Sequence, residues 1–263
     1  MRPLSQRIAV IAAALALAGC TGAPSTPPAP ASAPAVAAAP APAPATAPAS
    51  APAGLQRDGG AAAPVIETDD LPVSRDPRAP LVDVQTLDPS LRVELRYATA
   101  DNFTGAPLPG YAGRRALLRP AAARALARAH ASLRAEGLGL LVYDAYRPVR
   151  ASRAMVEWAR RTGNLALVRD GYLAVRSRHN LGVAVDLTLC DLATGRPLDM
   201  GTAYDAMTPG SHTANAAGAV LRHRRRLAAA MTAAGFASYA REWWHFAYQR
   251  DASATERYDV EIR

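Results

Sequence analysis

Lysine is absent from this 263-residue chain and cysteine occurs only at Cys20 and Cys190. Two cysteines so far apart exclude a small disulfide scaffold, and the core must hold together without staples. Cys190 reads as a buried, inert thiol; a catalytic role would need an activating environment, and its neighbours supply none. The formal charge of +8 is carried by arginine, most densely in Arg222 to Arg226. Such a run is either a nucleic-acid patch or the solvated face of a helix. No aromatic residues are interleaved with it, so the helix face is expected and no nucleic-acid partner. Basic character would still favour approach to acidic wall polymers or anionic headgroups. There is no internal repeat and no regular alternation of strand and helix, which argues against a doubly wound α/β fold.

What is present begins with MRPLSQRIAVIAAALALAGC. Arg2 and Arg7 precede an apolar stretch, Ile8 to Leu17, too short to span a bilayer comfortably. The stretch ends in small residues before Cys20 and is similar to the lipobox of bacterial lipoproteins. That resemblance implies cleavage after residue 19 and a lipid on Cys20; the alternative is an ordinary signal peptide with a chance cysteine. Of 22 prolines, 11 lie between Pro24 and Pro64, among Ala, Ser and Thr. Such a segment cannot bury a core and favours extended polyproline II. At about 3.1 Å per residue it would reach on the order of 100 Å. The expected layout is therefore a signal at 1–19, a disordered tether at 20–70 and one catalytic domain at 71–263.

Within that domain VELRY, Val93 to Tyr97, alternates as a half-buried strand does. Pro120 opens an Ala- and Leu-rich helix to about Glu136, closed by Gly137. LGLLVYDAY from Leu138 reads as a buried strand, and a helix follows Pro148. GVAVDLTL is a further strand, Ala214 to Ala234 a long helix, and Phe236 to Tyr248 aromatic and β-prone. The sum is an α+β domain, with a central, mainly antiparallel sheet flanked by helices.

The chemistry gathers around SRHNLGVAVDLTL, Ser177 to Leu189. Along the strand, Val183, Val185, Leu187 and Leu189 share one face and Asp186 lies on the other. Gly182 permits a turn that brings His179 back beside Asp186. Two such donors are not a metal site, which normally takes three or four ligands. EWWHF, Glu242 to Phe246, supplies His245 as a third, with Glu242 as an unliganded carboxylate able to take a proton from water. Two imidazoles and a carboxylate suit Zn²⁺. Either motif alone recurs by chance, and a lone histidine on a strand is commonly a hydrogen-bonded core residue.

Together the segments resemble a known family. S-x-H-x-x-G-x-A-x-D stands as Ser177, His179, Gly182, Ala184 and Asp186, and E-x-x-W-H as Glu242, Trp244 and His245. The pairing is similar to that of the zinc peptidases comprising D-alanyl-D-alanine dipeptidases, some D,D- and L,D-carboxypeptidases and hedgehog-type domains. YATADNFTG from Tyr97 looks like the amino-terminal signature of the dipeptidase branch. DAYRP, Asp144 to Pro148, resembles its D-G-Y-R-P with Ala145 for glycine. MGTAYD, Met200 to Asp205, resembles its M-G-[ST]-x-F-D with Tyr204 for phenylalanine.

The resemblance implies one zinc ion held by His179, Asp186 and His245. It implies Glu242 as general base and then acid, and Arg147 as stabiliser of the oxyanion. Asp205 would bind the free amino end of a D-Ala-D-Ala dipeptide, and Ser177, Tyr97 and Tyr111 would line the pocket. Structural alternatives stand beside these roles: Arg147 as an ion pair with Asp144, Asp205 as a cap, Tyr97 and Tyr111 as core aromatics. Trp243 and Trp244 are expected as walls and packing, and His130, His212 and His223 as surface or loop residues. The expected reaction is hydrolysis of D-Ala-D-Ala to two D-alanines. The alternatives are a carboxypeptidase trimming wall peptides and a wall-binding lipoprotein with structural zinc. Export with a lipid anchor implies the periplasm. Thr21, unlike an aspartate at that place, implies the outer membrane in a Gram-negative cell.

Overall fold

A computed structural model describes residues 71–263. The expected signal, tether and lipidated Cys20 lie outside the described residues.

The elements run β1 (Val73–Ser74), β2 (Val82–Asp83), α1 (Val84–Leu87), β3 (Arg92–Val93), β4 (Leu117–Leu118), α2 (Pro120–Leu133), β5 (Leu138–Asp144) and α3 (Val149–Arg161). They continue through α4 (Ala166–Arg169), β6 (Ala184–Asp191), α5 (Gly218–Ala233), β7 (Phe236–Tyr239), β8 (Glu242–Tyr248) and β9 (Arg257–Tyr258). Five strands form the central sheet in the order β3-β5-β6-β8-β7. Only β3 pairs with its neighbour in parallel; the other three pairings are antiparallel. This is the expected α+β architecture.

Helix α2 starts with Pro120 at its first position, where the missing N–H costs nothing. Its buried Ala122, Ala125, Leu126, Ala129 and Leu133 recur at helical spacing and pack on α5 and β5. Gly137 ends the turn after it at φ 69°, a left-handed conformation that suits glycine. Strand β6 is buried from Ala184 to Cys190, so both its faces are covered. The Cys190 thiol is buried and free, and burial raises its pKa.

Two expected elements differ. VELRY is a strand only at its start: pairing with β5 stops at Val93, and Arg96–Ala98 forms a 3₁₀ turn. That turn buries Tyr97 instead of alternating it. The long helix begins at Gly218, not Ala214, because Thr213–Asn215 forms its own 3₁₀ turn. The arginine run lies on α5 as expected, but Arg224 is not solvated. It is 2% exposed and donates to the carbonyls of Met200, Gly210 and His212.

Sheet register positions the site. Asp186 on β6 lies directly opposite His245 on β8 on one side and Asp144 on β5 on the other. Three polar residues therefore sit in one row across three strands. Directly opposed residues on an antiparallel pair are about 5 Å apart at Cβ, so side-chain donors from neighbouring strands can meet. The pairing shifts between Val142 and Asp144, a bulge of the kind that re-aims a side chain.

Candidate active site

His179 reaches the row from a 3₁₀ turn, Arg178–Leu181. Ser177 caps that turn, its Oγ accepting from the His179 N–H, while Asn180 Oδ1 accepts from the Ser177 N–H. Gly182 at φ 69° closes it, donating its N–H to the His179 carbonyl. The chain then turns into β6, with His179 beside Asp186.

Three donor atoms converge there. His179 Nε2 lies 3.1 Å from His245 Nδ1 and 3.3 Å from Asp186 Oδ1, and His245 Nδ1 lies 3.0 Å from that same oxygen. Among the described residues this is the group of His, Asp and His able to hold a metal ion. The other nitrogen of His179, Nδ1, is 2.6 Å from the Ala145 carbonyl. A carbonyl only accepts, so Nδ1 carries the proton and Nε2 presents a lone pair. Ligands about 2.0–2.1 Å from a tetrahedral zinc stand about 3.3 Å from one another. The observed spacings and the donor chemistry fit such an ion. Burial opposes ionisation of Asp186, yet the two imidazoles hold its carboxyl well below the usual range.

Around the triad is a cavity of about 180 Å³. That is smaller than the roughly 300–1,000 Å³ of drug-sized sites. Its wall includes Glu242, Arg147, Asp205, Ser177, Tyr97 and Trp244. Glu242 Oε2 is 3.9 Å from His245 Nδ1. Burial, reinforced by the Asp186 and Asp205 carboxylates, pushes the Glu242 carboxyl well above its ordinary value. Asp205 is likewise pushed up, to about 8, by burial and by Asp186. It has a left-handed backbone (φ 60°), unusual for a residue other than glycine. Its carboxylate accepts from the Tyr97 hydroxyl at 3.0 Å.

Arg147 is both ion-paired and part of the cavity wall. Its Nε and Nη2 donate to Asp144 Oδ2 at 2.9 and 2.8 Å, so the structural ion pair exists. Its guanidinium also lies over the Tyr97 ring, 5.0 Å from the centroid, and lines the cavity. Asp144 is fully buried and anchors this cation. Tyr111 is a different case: it does not line the cavity, and its hydroxyl donates to Asp144 Oδ1 at 2.6 Å. Its place is behind the wall, because Asp144 needs a second donor once Arg147 has taken Oδ2.

His130 is buried, not on the surface. The Leu140 N–H donates to its Nδ1 at 3.0 Å, so the neutral ring carries its proton on Nε2. Nε2 lies 2.9 Å from Ser90 Oγ, which donates to Asp88 Oδ1. The residue types are those of a nucleophile triad, but a protonated Nε2 cannot take the serine proton. His212 is bound to the Tyr172 hydroxyl and His223 to the Asp199 carbonyl.

The sequence motifs did not disclose the cavity wall contributed by Tyr172, Leu173 and Tyr239. Nor did they disclose the Tyr204 hydroxyl, 3.0 Å from Asp186 Oδ2. Its one signal was the tyrosine standing for phenylalanine in MGTAYD.

One imidazole from the sheet, one from the turn before β6 and the Asp186 carboxylate between them form a group that could hold a metal, with the Glu242 carboxyl in the same small cavity. Comparison with known proteins narrows the class. The family model of D-ala-D-ala dipeptidases, peptidase M15, matches residues 78–262, and the chain belongs to that family of enzymes. A D-alanyl-D-alanine dipeptidase of Streptomyces coelicolor is 37% identical over 194 residues, 68% of this chain and 96% of that protein. One from Escherichia coli is 41% identical over 175 residues, 66% and 86% of the two. The solved structure of VanYB in complex with D-alanine-D-alanine is 16% identical at a TM-score of 0.35, covering 63% of this chain and 81% of that one.

Proposed function

We propose that this protein hydrolyses the D-Ala-D-Ala dipeptide to two D-alanines, using one zinc ion held by His179, Asp186 and His245. The observation that carries the reading is the convergence of those three donors in a small cavity that Glu242 also enters. The relatives' activity supports the dipeptide as substrate, and the small cavity is in keeping with it.

Zinc bound at such a site lowers the pKa of a coordinated water toward neutrality and polarises the scissile carbonyl. The remaining steps belong to the chain's own side chains. Glu242, which enters the cavity beside His245, takes the proton of the attacking water and then delivers it to the leaving amine. Arg147, held by Asp144 and Tyr97, donates to the carbonyl oxygen as it gains charge. Because it is anchored beforehand, little reorganisation accompanies that step. Asp205, which a bound ammonium would favour in its ionised form, receives the amino end of the first alanine; this requires a free amine and so selects dipeptides over longer chains. Ser177 and Tyr97 bound the pocket. Water adds across one C–N bond and both products leave as free amino acids.

Offering a D-Ala-D-Ala-terminated stem peptide beside the dipeptide tests the specificity. Cleavage of the dipeptide alone is expected; release of D-alanine from the stem peptide would make the enzyme a carboxypeptidase. The export reading rests on residues 1–70 and adds a lipid anchor at Cys20, with outer-membrane placement. Cys20→Ala is expected to release the protein from the membrane fraction.

A further inference from the structure

The ring of Tyr204 has an apolar setting. It stacks on Tyr143, centroids 4.8 Å apart at 29°, and meets Trp244 edge-on at 5.5 Å. A phenylalanine would satisfy that packing equally. The hydroxyl is extra, and its partners are specific: Asp186 Oδ2 at 3.0 Å and the Tyr97 hydroxyl at 3.0 Å.

Proton counting fixes the direction. A tyrosine hydroxyl keeps its single proton at neutral pH, and a carboxylate only accepts. Tyr97 has both oxygens of Asp205 within 3.0 Å to receive its own proton. Tyr204 therefore donates to Asp186 Oδ2, and has no proton left for the Tyr97 oxygen 3.0 Å away. The other oxygen, Oδ1, is the one facing His179 and His245. The further donor to Oδ2 is Arg147 Nη2, longer at 3.4 Å and already committed to Asp144.

We propose that Tyr204 is a positioning residue that pins Oδ2 of Asp186, so that Oδ1 faces the metal point in one fixed orientation. The inference rests on reading the three donors as zinc ligands. Outer hydrogen bonds of this kind are worth about 10–100-fold in metal affinity.

The test is zinc affinity of the full-length apo-protein, by competition with a chromophoric chelator, alongside its melting temperature. Tyr204→Phe is expected to bind zinc at least about tenfold more weakly, with any fall in the apo melting temperature confined to the few degrees that one lost hydrogen bond costs. Tyr97→Phe removes the neighbouring hydroxyl that does not touch Asp186, and its zinc affinity is expected within about twofold of wild type. Equal affinity in Tyr204→Phe, or equal weakening in Tyr97→Phe, overturns the proposal. A lowered apo melting temperature with unchanged zinc affinity also overturns it, leaving only packing. Failure of the wild type to take up one zinc overturns the ligand reading beneath it.

Discussion

Glu242 sits at the start of β8, 8% exposed, three residues before His245. Strand geometry places residues three apart on opposite faces. The pairing of β7 with β8 is irregular between Ser238 and Tyr239, near the strand's first residue, and both side chains line the same cavity. An amide in place of the carboxylate keeps the shape and removes the base. Glu242→Gln is expected to retain a full zinc equivalent and lose about 10²–10⁴ in kcat, read by metal analysis and D-alanine release. Near-normal turnover would remove the base assignment. At this scale the ordered motifs made His179, Asp186, His245, Glu242 and Arg147 legible, because each sits at a fixed offset within its motif. Tyr111 was less legible: a buried tyrosine serves a wall or an anchor equally well, and the position of Asp144 decides. His130 was not legible at all, since its burial depends on α2 lying against β5.

The segment between β6 and α5 carries Tyr204 and Asp205 and has little regular structure. Arg224 holds it from α5 through the carbonyls of Met200, Gly210 and His212. Removing the guanidinium leaves buried acceptors unsatisfied, at a cost on the order of 3 kcal/mol. Arg224→Ala is therefore expected to melt about 6–12 °C lower. It should also raise KM for the dipeptide more than it lowers kcat, because Asp205 is loosened while the metal donors are not. A variant as stable as wild type, with an unchanged KM, would contradict this account. Nothing in RHRRR marks which arginine turns inward. Helical periodicity gives the face, but the loop it meets is set by tertiary packing. The strands β5, β6 and β8 were legible as dense apolar or aromatic runs. The short β1 and β9 pair far apart in sequence and carry no such signal.

For the whole molecule, pH is the natural probe. His130 joins α2 to the first residues of β5 and to Ser90, with Asp88 and Arg134 facing it. Burial lowers its pKa; Asp88 opposes that shift and Arg134 adds to it. The folded pKa thus lies below the ordinary value of about 6.5, and the unfolded chain binds the proton first. The contribution is complete above about pH 6.5 and is lost as pH falls below it toward the folded pKa. Protonation would also place a proton on Nδ1, facing the Leu140 N–H. His130→Asn keeps an acceptor there without titrating. Its melting temperature is expected to fall less than that of wild type between pH 7 and pH 5.5; parallel curves would contradict the assignment.

The central claim is that one zinc centre performs the hydrolysis, and D-alanine release from D-Ala-D-Ala by the purified full-length protein tests it most directly. Release is expected to stop when a chelator strips the metal and to return when one equivalent of zinc is restored. Release that persists in metal-free protein, or zinc-loaded protein that releases no D-alanine, would contradict it.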